Sequence, residues 1–252
     1  MKKKYIIANW KMELTPQQAQ QLAQDFAQVT KKNTWAEDRQ VIICPSFTDI
    51  IPIVALLSHS QIEIGAQDVF WSDYGAYTGS ISASSLRHLG CTYVIVGHSE
   101  RRKYQHETDR EIGQKIAAVL QAGLVPILCI GETFAEKQGG GKEAALMKQL
   151  TEALSDIHLT DKDNILVAYE PVWVIGSGQA VNPQDANQTH QLIRRTLGEF
   201  WPTSIVNKIG IIYGGSVNHL NIKDFMYQPN IDGVLVGGAS LSVDKFWPII
   251  NY

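Results

Sequence analysis

The chain has 252 residues, a formal net charge of −3 and 44% apolar content, the profile of an ordinary globular protein. A length of about 250 residues suits one α/β barrel or two smaller domains. A slightly acidic chain lacks the basic footprint of a nucleic-acid binder, and apolar runs such as 41–44 and 165–168 are far too short to span a bilayer.

Met1-Lys2-Lys3-Lys4 followed by Tyr5-Ile6-Ile7-Ala8 has the look of a signal-peptide start. The apolar stretch breaks at Asn9 and Lys11, too early for a signal core, so 5–10 reads as a first strand. Thr15-Pro16 then opens a helix, with Thr as N-cap and Pro at the first helical position. Ala19, Leu22, Ala23 and Phe26 continue it at helical spacing. Further strands are expected at 41–45, 62–67, 93–97, 126–131, 165–169, 209–214 and 233–237. Between them 111–122 reads as a helix stopped by Gly123, and Asn182-Pro183 opens another. Several strands are apolar at nearly every position, as parallel strands buried on both faces must be. This alternation predicts a single (β/α)8 TIM barrel domain over residues 1–252. The rival, a doubly wound open sheet, usually places a glycine-rich turn after its first strand, where this chain has Asn9-Trp10-Lys11.

Barrel active sites lie at the C-terminal ends of the strands. That rule selects Asn9, Lys11, Gln67, His98, Glu132, Glu170, Ser216, Gly237 and Gly238. Taken alone, Lys11 reads as a solvated surface cation or as an anion clamp. Ser99 is expected to cap a helix whose amides point at His98; a helix N-terminus disfavours a second positive charge, so the imidazole should be neutral. Glu170 precedes Pro171, which holds it extended. A carboxylate on that stiffened strand end among apolar groups should have a raised pKa, suited to a base; a structural carboxylate paired to a lysine is the bland reading. The run Ile175-Gly176-Ser177-Gly178 reads as a lid or a plain loop. Gly214-Gly215 and Gly237-Gly238 follow the last two strands, where barrels often bind phosphate through backbone amides. A cradle, a cation, a neutral donor and one carboxylate suit proton abstraction next to a carbonyl in a small phosphorylated substrate. No C-x-x-C motif or His/Cys cluster suggests a metal, and neither a metal nor a cofactor is expected. Cys44, Cys91 and Cys129 cannot all pair within one chain, and buried thiols suit a reducing, cytoplasmic setting.

Six segments carry a resemblance: Asn9-Trp10-Lys11, Gly97-His98-Ser99-Glu100-Arg101-Arg102, Cys129-Ile130-Gly131-Glu132, Ala168-Tyr169-Glu170-Pro171-Val172-Trp173, Tyr213-Gly214-Gly215-Ser216-Val217 and 233–241. In order and spacing, over essentially the whole chain, they resemble the triosephosphate isomerase family. The resemblance implies interconversion of dihydroxyacetone phosphate and D-glyceraldehyde 3-phosphate, a step of glycolysis and gluconeogenesis. It implies Glu170 as the base, His98 as the polarising group, and Lys11 and Asn9 as stabilisers of developing charge. It further implies phosphate binding at Gly176, Ser216, Gly237 and Gly238. Residues 171–181, with Trp173, Ile175 and Ser177, would form a closing lid; Tyr213 and Ser216 would latch it, and Glu132 would meet Trp173 in the open state. The family is homodimeric, and Thr78 on the loop 67–79 would reach the partner's Asn9 and His98 region.

The chain departs from the family pattern in places. Val174, Gln179 and the hinge Ala180-Val181-Asn182 alter the lid, which motivates a second reading as an isomerase of a four-carbon ketose phosphate. A third reading is a phosphate-ligand sensor, although a sensor has no use for a base. Ser80 stands where a glutamate usually follows Thr-Gly, and Asp68 where asparagine is common, so Arg101 is expected to lack its usual cross-subunit partner.

Overall fold

The structure, a computed structural model, describes residues 3–176 and 178–252. Strands β1 (Lys4–Asn9), β2 (Arg39–Cys44), β3 (Glu63–Ala66), β4 (Tyr93–Val96), β5 (Val125–Ile130), β6 (Leu166–Tyr169), β7 (Gly210–Tyr213) and β8 (Gly233–Val236) close into one barrel in sequence order. Every pairing is parallel, and β8 closes onto β1 with Tyr5 opposite Gly233. Each expected strand is present within two residues of its expected limits.

The near-continuous apolar strands serve two cores at once. Successive side chains alternate across a strand. Tyr5, Ile7, Ile42, Ile95, Ile127, Leu166 and Ile212 form a cluster that fills the barrel. Their neighbours Ile6, Ala8, Val41, Ile43, Val94, Val96 and Ile211 belong to a second cluster, packed outward against the helices. Both layers exclude water, so no position on these strands is free to be polar until the strand ends.

Helices α1 (Pro16–Lys32), α2 (Ile50–Leu57), α3 (Ala83–His88), α4 (Ser99–Tyr104), α5 (Asp109–Gln121), α6 (Phe134–Gln138), α7 (Lys142–Leu154), α8 (Pro183–Leu197), α9 (Thr203–Val206), α10 (Ile222–Met226) and α11 (Val243–Ile250) surround the strands. Thr15 caps α1 in a reciprocal box with Gln18, and the Asn182 side chain accepts the Gln184 amide at the start of α8. The helix expected to stop at Gly123 ends at Gln121, with Gly123 in the left-handed region at φ 71°. Cys44, Cys91 and Cys129 are buried free thiols. Among the described residues, no helix is long and apolar enough to cross a membrane.

Candidate functional site

The strand ends converge on a cavity of about 360 Å³ at the C-terminal mouth. Asn9, Lys11, His98, Glu170, Ile175, Gly176, Ser216, Gly237 and Gly238 all line it. Trp173, Tyr213 and Glu132 stand behind that lining, and Thr78 lies exposed on the loop 67–79, away from it. Ser177 lies outside the described residues.

Lys11 leaves β1 in the left-handed region at φ 52°, unusual for a side chain with a β-carbon. Three groups hold it there. Asn9 Oδ1 accepts its amide at 3.1 Å, while Ser46 Oγ and Gln67 Nε2 donate to its carbonyl at 3.0 and 2.9 Å. Its ammonium meets Glu100 at 2.5 Å beside the cavity. Lys11 is therefore an aimed cation rather than a freely solvated one.

Gly97 carries β4 into α4 at φ 70°, and a β-carbon there would collide with Ile112 at 2.7 Å. The next residue caps the helix in a way the sequence did not suggest. His98, not Ser99, is the N-cap: its Nδ1 accepts the Glu100 amide at 3.2 Å. In the neutral ring this acceptor role leaves the proton on Nε2. That nitrogen lies 3.0 Å from Glu170 Oε1. The Ser99 amide, freed from capping, donates to Glu170 Oε2 at 2.9 Å. Both oxygens of the carboxylate are thus occupied.

This pairing reverses the expected direction of the Glu170 pKa. Burial raises it, but His98 and the Ser99 amide together outweigh burial and hold the carboxyl below the ordinary glutamate range. The expectation of a raised value counted only the apolar surroundings. His98 responds reciprocally. Burial lowers its proton affinity, while Glu170, with help from Glu100, raises it above the usual histidine value. The helix terminus expected to keep His98 neutral is opposed by a buried carboxylate, and each group favours the other's charged form.

Glu170 is also held from behind. A β-carbon on Gly131 would fall 1.6 Å from the Glu170 carbonyl oxygen, so only glycine permits this close approach of β5 to the residue after β6. Gln149 grips the same glycine from α7, accepting its amide at 2.9 Å and donating to its carbonyl at 3.0 Å. Arg102 ties the ends of β4 and β5 together, donating to the Gly97 and Cys129 carbonyls at 2.8 and 3.0 Å. Gln149 sits in mid-helix, where no local signal marks it; only its placement in the fold gives it this task.

The segment after Glu170 is fastened at several points. Trp173 Nε1 donates to Glu132 Oε1 at 2.9 Å, and Tyr169 donates to the same oxygen at 3.1 Å. Ser216 Oγ donates to the Val174 carbonyl at 3.2 Å, and the Val181 amide donates to Tyr213 at 3.3 Å. Val174 is 1% exposed, so its extra bulk is packed inward rather than displayed at the tip.

Arg101, whose usual cross-subunit partner is expected to be missing, has two acidic partners within its own chain. It meets Asp68 at 2.9 Å and Glu107 at 2.5 Å. Lys115, buried, bridges the same two carboxylates at 2.6 and 2.5 Å. Asp68 thus gives Arg101 an intrachain partner that the sequence alone does not reveal. Among the described residues, no three His, Cys, Asp or Glu side chains gather as a metal site would require.

Comparison with known proteins agrees over the full length. The triosephosphate isomerase family model matches residues 4–252. The triosephosphate isomerase of Dictyoglomus thermophilum is 44% identical over 251 residues, covering 100% of both chains. That of Moorella thermoacetica is 43% identical over 252 residues, covering 100% of this chain and 99% of its own. A crystal structure of triosephosphate isomerase from Bartonella henselae superposes with a TM-score of 0.86 at 32% identity, over 98% of this chain and 97% of that one.

Proposed function

The chain belongs to the triosephosphate isomerase family, and on that premise we propose how its residues interconvert dihydroxyacetone phosphate and D-glyceraldehyde 3-phosphate. One observation carries the assignment of roles. A buried carboxylate, an Nε2–H imidazole, a lysine and several glycine amides face one small cavity.

Glu170 is the base. Held ionised by His98 and Ser99, it is ready to accept a proton at neutral pH. A substrate carbonyl that takes the His98 Nε2–H removes one of those partners. As Glu170 turns toward the substrate carbon it gives up the Ser99 amide as well. Burial is then left unopposed and raises its proton affinity at the moment a base is needed. His98 donates to the carbonyl that becomes the enediolate oxygen, and Lys11 with Asn9 stabilises the negative charge developing there. His98 passes its Nε2 proton to the enediolate oxygen and takes up the proton of the neighbouring hydroxyl, while Glu170 returns its proton to the neighbouring carbon, and the two transfers together complete the aldose–ketose exchange. The amides of Gly176, Ser216, Gly237 and Gly238 hold the phosphate; Gly238 has open space around its α-carbon, so the backbone can approach an anion closely.

Residues 171–181 act as a lid that excludes water from the enediolate. Trp173 on Glu132 marks its resting position, in which Tyr213 and Ser216 already touch the segment at Val181 and Val174; with Ile175 and Ser177 they would latch it over the substrate. The enzyme works as a homodimer. Met12, Tyr74 and Tyr77 expose large apolar side chains on the loops after β1 and β3, and Tyr104 does so at the end of α4. A pocket of about 480 Å³, lined by Met12, Phe47, Gln67 and His98, offers a seat for the loop that carries the other copy's Thr78. Glycolytic chemistry and buried free thiols support a cytoplasmic setting.

A steady-state assay with dihydroxyacetone phosphate and a four-carbon ketose phosphate tests the substrate. Preferential kcat/KM for the three-carbon sugar is expected. A four-carbon preference would move the function to the second reading, and binding without turnover would favour the sensor.

A further inference from the structure

Trp173 is gripped from two directions by a single short segment. Its indole edge donates to Glu132 at 2.9 Å, and the Lys137 ammonium lies 3.2 Å above the ring centroid. Glu132 lies two residues after β5, and Lys137 lies one helical turn into α6. A capping box between Thr133 and Glu136 fixes the start of that helix, so local structure sets where Lys137 stands relative to Glu132. The helix then stops at Gly139-Gly140-Gly141, with Gly140 in the left-handed region at φ 69°. An in-plane acceptor and a cation over the π face together define one position for the indole.

This is the arrangement of the ligand-free site, because both Glu170 oxygens are still taken by His98 and Ser99. We infer that Lys137 is a positioning residue for the isomerase reaction: its ammonium holds Trp173 in the resting dock and thereby opposes lid closure. The inference rests on the lid assigned under the proposed function. The physical consequence has a definite sign. A contact made only in the resting state lowers the affinity for any ligand that binds the closed state, so removing it tightens binding. A residue that merely supported the fold would weaken binding when removed.

The test labels the tryptophans with fluorine, assigns the Trp173 resonance through Trp173→Phe, and titrates with sn-glycerol 3-phosphate, a three-carbon phosphate without a carbonyl. Lys137→Gln is expected to bind this probe about two- to fivefold more tightly. Its Trp173 resonance should move toward the ligand-bound position before any ligand is added. Lys137→Arg should restore both, since an arginine also stacks on an indole. Lys148→Gln removes a charge from another exposed site and should leave both unchanged, which separates the ring contact from general attraction of an anion. Lys137 is exposed, so these variants keep the fold. Unchanged or weaker binding by Lys137→Gln would overturn the assignment. Failure of the unaltered protein to isomerise dihydroxyacetone phosphate would instead strike at the function on which it rests.

Discussion

The two halves of the barrel mouth build their parts of the site from different material. The β1–β4 half supplies charged and polar side chains, Lys11, His98 and Glu100, locked in hydrogen bonds that reach across several strands. The β5–β8 half supplies mostly backbone, at Gly176, Gly214, Gly215, Gly237 and Gly238, plus a single carboxylate at Glu170. They also differ in what they leave uncovered. In the first half Met12 is exposed on the rim of the pocket it shares with Lys11 and His98, and Tyr74 and Tyr77 are exposed on the loop after β3, while in the second Phe134 opens α6 and Leu220 lies just before α10. A group that must stabilise a fixed charge is best held rigidly. A group that must carry a proton between two carbons has to move, and the Glu170 side chain lies against Gly214, which has no side chain to block it.

The contrast breaks most sharply at Glu170. Replacing it by Gln keeps the shape and removes the base, so kcat should fall by about 10²–10⁴-fold while KM changes little. Equal losses in turnover and ligand affinity would make Glu170 a binding group instead. Acid titration probes the same half from within. His190, buried beside Tyr169, has its pKa pushed down from 6.5 to about 4 by burial, against the pull of Asp232. The unfolded chain therefore takes up this proton first as pH falls. The stabilisation is complete above about pH 6.5 and drains away toward pH 4 at up to about 1.4 kcal/mol per pH unit. Chemical denaturation across that window should show the slope, and His190→Gln should flatten it.

The exposed face of the β1–β4 half gives a smaller effect. Tyr77→Asp should weaken self-association about tenfold, or about 1.4 kcal/mol, read by sedimentation at nanomolar to micromolar concentration. A dimer unaffected by this change would put the interface elsewhere. The smallest effect is expected at the buried charge cluster. Burial raises the Asp68 pKa and outweighs the pull of Lys115 and Arg101, so the ionised group costs nearly what its pairing returns. Asp68→Asn should change unfolding stability by about 1 kcal/mol or less. A loss above about 3 kcal/mol would show that the cluster holds this half together.

Periodicity, strand-end position and turn chemistry made most of the fold and the membership of the site readable in the sequence. A two-sided core forces every barrel strand to be apolar throughout, and that requirement leaves its mark in unbroken runs. The Thr15-Pro16 and Asn182-Pro183 starts are equally local, because a cap bonds within its own first turn. What stayed hidden depends on partners far apart in the chain. Ser99 and Glu170 are separated by 71 positions, and their hydrogen bond, with that of His98, reverses the pKa direction that apolar neighbours alone imply. Gln149 grips Gly131 from another helix, and Asp68 finds Lys115 from 47 positions away. The sequence by itself determined the barrel, the mouth and the identity of Glu170 as its carboxylate. Only the tertiary structure decided how that carboxylate is held, by a histidine and an amide that favour its ionised form, because electrostatic interaction follows distance in space and not along the chain.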